Sequence, residues 1–115
     1  MKRILVVEDE FDLAELVQIV LENAGFEVTL ASDGKEAMAW LDEHVPDLVL
    51  TDFMLPFADG GEVIEHVKGD PRLSKVPAIL MSAAATIRDG IRRDAFLKKP
   101  FHPSALLAAI GSFLA

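Results

Sequence analysis

The residues best suited to chemistry in this chain directly follow short apolar runs. Acidic, hydroxyl or cationic side chains end four such runs: Glu8-Asp9 after Ile4–Val7, Thr51-Asp52 after Leu48–Leu50, Ser82 after Ala78–Met81, and Lys98-Lys99 after Phe96-Leu97. Carboxylates bind hard divalent cations, and a carboxylate can also attack phosphorus. A hydroxyl and an ammonium group are suited to phosphoryl oxygens. The pattern therefore predicts a site that combines a cation with phosphoryl chemistry.

The three carboxylates of Glu8, Asp9 and Asp52 would repel one another in a shared crevice. At about 4 Å and an effective dielectric constant near 20, each like-charged pair costs on the order of 4 kcal/mol. A divalent cation relieves this repulsion, and oxygen ligands without His or Cys favour Mg²⁺ over zinc. Because Mg²⁺ usually takes only one or two carboxylates directly, we expect Asp9 and Asp52 as inner ligands and Glu8 to act through water.

Asp52 is also the candidate nucleophile, since a carboxylate can form an aspartyl-phosphate. It lies centrally, between the acidic pair and the polar residues that end the last two apolar runs. A lysine there supplies a point charge for one phosphoryl oxygen, and Ser82 can donate a hydrogen bond to another. Little more is needed, because phosphoryl transfer depends mainly on positioning and electrostatics.

The apolar runs alternate with helical patterns, and this alternation places the polar groups on one sheet edge. Phe26–Leu30 alternates apolar with polar residues, as an edge strand does, whereas the runs ending at Glu8, Asp52 and Ser82 are continuously apolar, as in strands covered on both faces. The order of elements predicts an α/β fold: a doubly wound, five-stranded parallel sheet in the flavodoxin-like order 2-1-3-4-5. Ligands bind at the carboxyl edge of such sheets.

The starts of three helices carry local signals. Asp33 with Glu36, and Asp59 with Glu62, have the spacing of a capping pair. Pro103 suits the first turn of a final helix. These signals fix where the connecting segments must end.

Composition limits the classes of protein and of partner. The chain has 115 residues, 51% of them hydrophobic, and predicts one domain over 1–115 with a substantial core. No apolar run approaches the roughly 20 residues that cross a membrane. The start of the chain lacks a cleavage-like small-residue site, so we expect a cytoplasmic location. The negative net charge predicts no membrane partner, since an anionic membrane attracts cationic surfaces. The absence of cysteine excludes disulfides and thiolate metal sites.

The formal net charge of −8 predicts no nucleic acid partner, because nucleic acid binding needs a cationic surface. Arg88, Arg92 and Arg93 form the one basic cluster of the sequence. We interpret this cluster as a solvated helix end, with a docking patch for an acidic partner as the alternative.

Taken together, four segments resemble the receiver domain of two-component response regulators over essentially the whole chain. They are Val6-Val7-Glu8-Asp9-Glu10, Thr51-Asp52-Phe53-Met54-Leu55-Pro56, Met81-Ser82-Ala83 and Lys99-Pro100-Phe101. The resemblance implies that Asp52 accepts a phosphoryl group from a sensor histidine kinase or a histidine phosphotransfer protein. Such a receiver catalyses only its own phosphorylation and dephosphorylation.

The resemblance also implies roles for the residues around Asp52. It implies an acidic metal-binding pair at Glu8 and Asp9, a metal contact from the Met54 backbone carbonyl, and a phosphate-binding lysine at Lys99. We choose Lys99 over Lys98 because the family lysine directly precedes the proline, and the family holds that bond cis.

Two further positions are implied to carry the signal. Ser82 matches the switch hydroxyl, and Phe96 occupies the position of the switch aromatic, three before the lysine. Phosphorylation should draw Ser82 toward the phosphoryl group and let Phe96 move inward. The resulting surface would bind a downstream protein that the sequence does not name.

One segment departs from the family pattern. Ser82 and Lys99 are 17 positions apart, fewer than is usual in receivers. Residues 83–94 leave room for a short or irregular fourth helix, which Gly90 weakens further.

Several alternatives stay open from the sequence. We expect a stand-alone receiver without an output domain, either a diffusible regulator or a phosphorelay intermediate, although a receiver cut from a longer protein fits equally. A pseudo-receiver that binds partners without phosphorylation is a second class. A haloacid-dehalogenase-type phosphatase would carry a second Asp where this chain has Met54. A flavodoxin would need a phosphate-cradling loop in place of Glu8-Asp9-Glu10.

Overall fold

The computed structural model describes residues 1–84 and 87–114. Strands and helices alternate along them in the order β1 (Arg3–Val7), α1 (Phe11–Asn23), β2 (Glu27–Ala31), α2 (Gly34–Glu43), β3 (Leu48–Asp52), α3 (Gly60–Gly69), β4 (Ala78–Ser82), β5 (Ala95–Lys98) and α4 (Pro103–Gly111).

The five strands form one parallel sheet in the order β2-β1-β3-β4-β5, which confirms the predicted fold. The register pairs Val7 of β1 with Thr51 of β3, and Asp52 with Met81 of β4. Ser82, the last residue of β4, pairs with Lys98 of β5. The carboxyl ends of the four strands β1, β3, β4 and β5 are therefore level with one another.

Helices cover both faces of the sheet. On one face α1 and α4 bury a cluster that includes Val17, Leu21, Leu106 and Ile110, and on the other α2 and α3 bury Leu41 and Val67 among others. Burial of each such side chain contributes about 1.5–3 kcal/mol. Every residue of β3 and β4 is buried, as the continuous apolar runs predict, whereas β2 is partly exposed and lies at the edge.

Local capping interactions start the helices where the sequence predicts. The Asp33 carboxylate accepts a hydrogen bond from the Glu36 backbone N–H at 2.7 Å. Asp59 and Glu62 form a complete capping box, with reciprocal bonds of 2.9 and 2.8 Å. Pro103 is the first residue of α4. Each cap satisfies backbone N–H groups that have no partner within the helix.

The connection from β4 to β5 is irregular, as the short spacing predicts. Its described residues, 83–84 and 87–94, form bends and a turn at Asp89-Gly90 and contain no helix. Gly90 has a φ of +86°, which suits a glycine in a turn and would interrupt a helix. Residues 85 and 86, for which the sequence analysis also predicts a short helix, lie outside the described residues.

The helices found within residues 1–84 and 87–114 are all too short or too polar to span a membrane.

The start of α2 makes a close backbone contact with the loop after β3, and this contact predicts a stability effect. A Cβ atom at Gly34 would overlap the backbone carbonyl of Ala58. We expect Gly34→Ala to lower the free energy of unfolding by about 1–3 kcal/mol, because the backbone must shift to admit the methyl group. Urea denaturation measures this change.

Gly69→Ala is the matched control, since a Cβ at this last residue of α3 meets no atom within 4 Å. We expect this substitution to be neutral or to stabilise the protein by up to about 1 kcal/mol. Equal effects of the two substitutions would contradict the close contact.

Candidate functional site

The carboxyl ends of four strands deliver polar side chains to one crevice. Glu8 follows β1, Asp52 ends β3, Ser82 ends β4 and Lys99 follows β5. The apolar residues of each strand pack in the core and fix where the strand ends. The residue at or just after that end therefore lies at the carboxyl edge of the sheet. The crevice is therefore built on rigid elements.

An ion-paired group lies at the centre of this crevice. The Lys99 Nζ atom is 2.7 Å from Glu8 Oε1 and 3.2 Å from Asp52 Oδ2. The side chain of Glu8 is fully buried, while those of Asp52 and Lys99 are 7% and 14% exposed. Glu8 is further held by the Glu10 backbone N–H, which donates to Oε2 at 3.1 Å. One ammonium group thus serves two buried carboxylates.

The carboxylates form a cluster that fits a divalent cation. One oxygen from each of Glu8, Asp9 and Asp52 lies within 4.8 Å of the others, and Asp9 is exposed on the open side. Three carboxylates against one ammonium group leave two negative charges. An all-oxygen donor set with this excess charge matches the ligand preference of Mg²⁺.

Residues after β3 line the open side of the site. An open crevice of about 480 Å³ is bordered by Asp9, Phe53, Met54, Leu55, Pro56 and Asp59. Met54 is 66% exposed and thus lies at the protein surface. The metal contact from its backbone carbonyl stays a prediction. The crevice leaves room for a ligand larger than an ion.

Burial and charge together raise the pKa values of both buried acids and of the lysine. Desolvation raises the pKa of the Asp52 carboxyl, and the charge and hydrogen bond of Lys99 only partly oppose it. Desolvation likewise raises the pKa of Glu8 against the hydrogen bond from Lys99. Burial on its own lowers the pKa of Lys99, but Glu8 and Asp52 outweigh it and leave this pKa raised. Lys99 therefore stays cationic. Its single positive charge does not fully offset the desolvation of the two carboxyl groups.

The two residues implied to carry the signal lie in different settings. Ser82 is fully buried, and its Oγ atom accepts a hydrogen bond from the Ala84 backbone N–H at 3.0 Å. Phe96 is 40% exposed on β5, with the Arg93 guanidinium carbon 5.9 Å from the centre of its ring. The serine hydroxyl thus points into the turn after β4, and the aromatic ring faces outward.

The structure revises the interpretation of the basic cluster. Arg88 pairs with Asp59 at 2.6 Å and Arg92 pairs with Glu65 at 2.9 Å, so two of its arginines are fastened to α3 or its cap. The interpretation as a solvated helix end is wrong, because residues 87–94 form no helix. The hydrogen bond from Arg88 also holds the pKa of the Asp59 carboxyl below its usual value. No spacing rule signals a contact between positions 59 and 88.

The Lys99–Pro100 peptide bond is cis, which confirms the prediction made from the resemblance.

Comparison with known proteins identifies the class. Residues 4–111 match the family described as the response regulator receiver domain, and the chain belongs to this family. The chain is 39% identical over 114 residues to the phosphate regulon transcriptional regulatory protein PhoB of Escherichia coli, covering 95% of this chain and 50% of that protein. It is 37% identical over 114 residues to the DNA-binding response regulator MtrA of Mycobacterium leprae, covering 95% and 49%.

Solved structures agree in fold. The chemotaxis response regulator CheY4 of Vibrio cholerae superposes with a TM-score of 0.91 at 26% identity, covering 99% of both chains. The response regulator TrrA of Thermotoga maritima, solved in complex with Mg²⁺ and BeF, superposes with a TM-score of 0.90 at 30% identity, covering 99% of this chain and 100% of that one.

The prediction that excludes nucleic acid is wrong. The chain spans about half the length of the curated relatives it matches, and several of these are named as transcriptional or DNA-binding regulators. The net charge of −8 describes the surface of the receiver alone. It carries no information about contacts that a further domain of a longer protein makes.

The acidic cluster predicts a stabilising response to Mg²⁺. We expect the melting temperature to rise with added Mg²⁺, by an amount equivalent to about 2.7 kcal/mol at a concentration of 100 times the dissociation constant. Asp9→Asn should remove most of this response. Without added cation the same variant should melt higher than the wild type, because one repulsive charge is gone. Thermal unfolding by circular dichroism measures both effects.

Asp12→Asn provides the control, since Asp12 is exposed in the first turn of α1 and lies outside the cluster. It should retain the full Mg²⁺ response. An unchanged response in Asp9→Asn would exclude Asp9 as a ligand.

Proposed function

We propose that this receiver is a phosphoacceptor switch, in which Asp52 takes a phosphoryl group from the phosphohistidine of a sensor histidine kinase or a histidine phosphotransfer protein in a Mg²⁺-dependent reaction. The observation that carries this proposal is the setting of the Asp52 carboxylate. It is buried, lies 3.2 Å from Lys99 Nζ, and shares a crevice with Glu8 and Asp9.

The chemistry requires a nucleophile and fixed positive charge. An Asp52 oxygen forms the new bond to phosphorus as the bond from phosphorus to the donor nitrogen breaks, and that electron pair leaves with the imidazole. Lys99 is already within reach of Asp52 and supports a phosphoryl oxygen added there. Glu8 anchors the lysine, and with Asp9 and Asp52 it would hold the Mg²⁺ ion. Mg²⁺, when bound, would supply positive charge that offsets the negative charge gathered in this crevice.

The same step would change the surface. The Ser82 hydroxyl would give up the hydrogen bond that it accepts from Ala84 and donate a hydrogen bond to a phosphoryl oxygen. Phe96 then moves inward from its exposed position on β5. These two movements would bias a two-state surface toward the form that a downstream protein binds.

The relatives make control of DNA binding a candidate output. PhoB is named as a transcriptional regulatory protein and MtrA as a DNA-binding response regulator, and each is about twice as long as the matched region. Comparing the proteins captured by the phosphorylated and by the unphosphorylated chain tests this output. Recovery of a DNA-binding protein in one state only supports this output.

Incubation with Mg²⁺ and acetyl phosphate, followed by intact-mass measurement, tests the phosphoacceptor role. We expect one phosphoryl adduct in the presence of Mg²⁺ and no adduct when the metal is chelated. The alternative is a pseudo-receiver that binds partners without phosphorylation, which the absence of a helix in the described residues 83–84 and 87–94 favours. Absence of an adduct with acetyl phosphate and with a phosphohistidine donor would support that alternative.

A further inference from the structure

The irregular connection between β4 and β5 is fastened along α3. Three ion pairs make this attachment: Arg88 with Asp59 at 2.6 Å, Arg92 with Glu65 at 2.9 Å, and Asp94 with Lys68 at 2.7 Å. Ile91 adds an apolar anchor, since it is buried in a cluster with Ile64. Residues 87–94 of the connection, which form no helix, are therefore held by contacts with α3 and its cap.

The Arg88–Asp59 pair is the part of this attachment next to the candidate site. The guanidinium donates to both carboxylate oxygens, at 2.6 and 3.0 Å, and its carbon lies 5.3 Å from the centre of the Phe53 ring. Phe53 directly follows Asp52, and Asp59 borders the same open crevice as Asp9. A planar guanidinium is suited to bind a carboxylate and an aromatic face together.

Arg88 also lies close along the chain to the predicted switch serine. The Ser82 hydroxyl accepts a hydrogen bond from the Ala84 backbone N–H, so turning it toward a group on Asp52 disturbs that turn. Arg88 is only four positions beyond Ala84. Four residues span at most about 14 Å when extended, so the Arg88 backbone lies within that distance of the turn that contains Ala84.

We propose that the Arg88–Asp59 pair is a latch that holds the β4–β5 connection in its resting position and opens when Ser82 turns toward a phosphoryl group on Asp52. This inference rests on the proposed function. A ligand that favours the open state must overcome whatever stabilises the closed one. Breaking the latch therefore increases the apparent affinity for a phosphoryl mimic, although it removes a favourable contact.

The test measures binding of beryllofluoride, a phosphoryl mimic, in the presence of Mg²⁺ by isothermal titration calorimetry. We expect Arg88→Gln to bind it about three- to tenfold more tightly than the wild type, since the competent state is more populated. Asp59→Asn should give the same gain, because asparagine retains the helix cap while losing the charge. The double variant should gain no more than either single variant, as two halves of one contact do.

Arg92→Gln is the matched control. It removes the same charge from the same connection, but its partner Glu65 lies farther along α3. We expect its beryllofluoride affinity to stay within twofold of the wild type. Hydrogen exchange gives a second readout: amides of residues 87–89 should exchange faster in Arg88→Gln without ligand, and the difference should shrink when beryllofluoride is bound.

The outcomes separate the latch from the proposed function. Tighter binding by Arg88→Gln and Asp59→Asn, with Arg92→Gln unchanged, supports the latch. Equal binding by all variants overturns the latch and leaves the phosphoacceptor role standing. Weaker binding by Arg88→Gln also overturns it, because a purely structural contact would behave in that way. Failure of the wild type itself to bind beryllofluoride or to take up phosphate overturns both.

Discussion

We expect Asp52→Asn to lower the rate of phosphoryl uptake from acetyl phosphate by about a thousandfold or more. The substitution removes the attacking oxygen charge while keeping the side-chain shape. Burial already raises the pKa of the Asp52 carboxyl, so this position is costly to ionise. We therefore also expect the variant to unfold at a higher temperature than the wild type when no divalent cation is present. Intact-mass time courses and thermal unfolding measure the two effects.

Asp12→Asn controls for this experiment, because it removes one exposed carboxylate on α1 outside the acidic cluster. It should take up phosphate at the rate of the wild type. Uptake by Asp52→Asn at that same rate would show that another residue is the acceptor.

Lys99→Met has the largest expected effect on stability. Lys99 is 2.7 Å from the fully buried Glu8 carboxylate and 3.2 Å from Asp52, and methionine provides neither charge nor hydrogen bond. Breaking a buried ion pair by removing one partner costs about 3–5 kcal/mol, because an uncompensated charge remains. We expect a loss of this size in the free energy of unfolding, measured by urea denaturation without divalent cation.

Two comparisons make this result specific. Lys98→Met changes the adjacent, exposed lysine and should alter stability by no more than about 0.5 kcal/mol. Combining Lys99→Met with Glu8→Gln should recover part of the loss, since the stranded charge is removed along with its partner. Equal effects of Lys98→Met and Lys99→Met would contradict the choice of Lys99 as the site lysine.

The sheet could be predicted because the patterns that specify its strands lie within short stretches of sequence. Continuous apolar runs specify buried parallel strands, and the alternating Phe26–Leu30 segment identifies the edge. The caps at Asp33 and Asp59 depend on residues three positions apart, which a sequence shows directly. The strand order in turn predicts that Glu8, Asp52 and Lys99 lie close together, because all three are at or next to the carboxyl ends of strands in one sheet.

The contacts of the β4–β5 connection could not be predicted in the same way. Its contact between Arg88 and Asp59 joins residues 29 positions apart and depends on how an irregular segment lies on a helix. No periodicity specifies such a path. The exclusion of nucleic acid failed for a different reason, since net charge was taken as evidence about partners beyond the receiver surface.

The bond between Lys99 and Glu8 joins positions 91 residues apart. Neither half of the polypeptide contains both partners, so no fragment ending before β5 can reproduce the site. During synthesis, the acidic side chains leave the ribosome long before the cation that balances them. Premature termination would therefore yield a product that carries the acids without their counter-charge, and such a product should not fold stably.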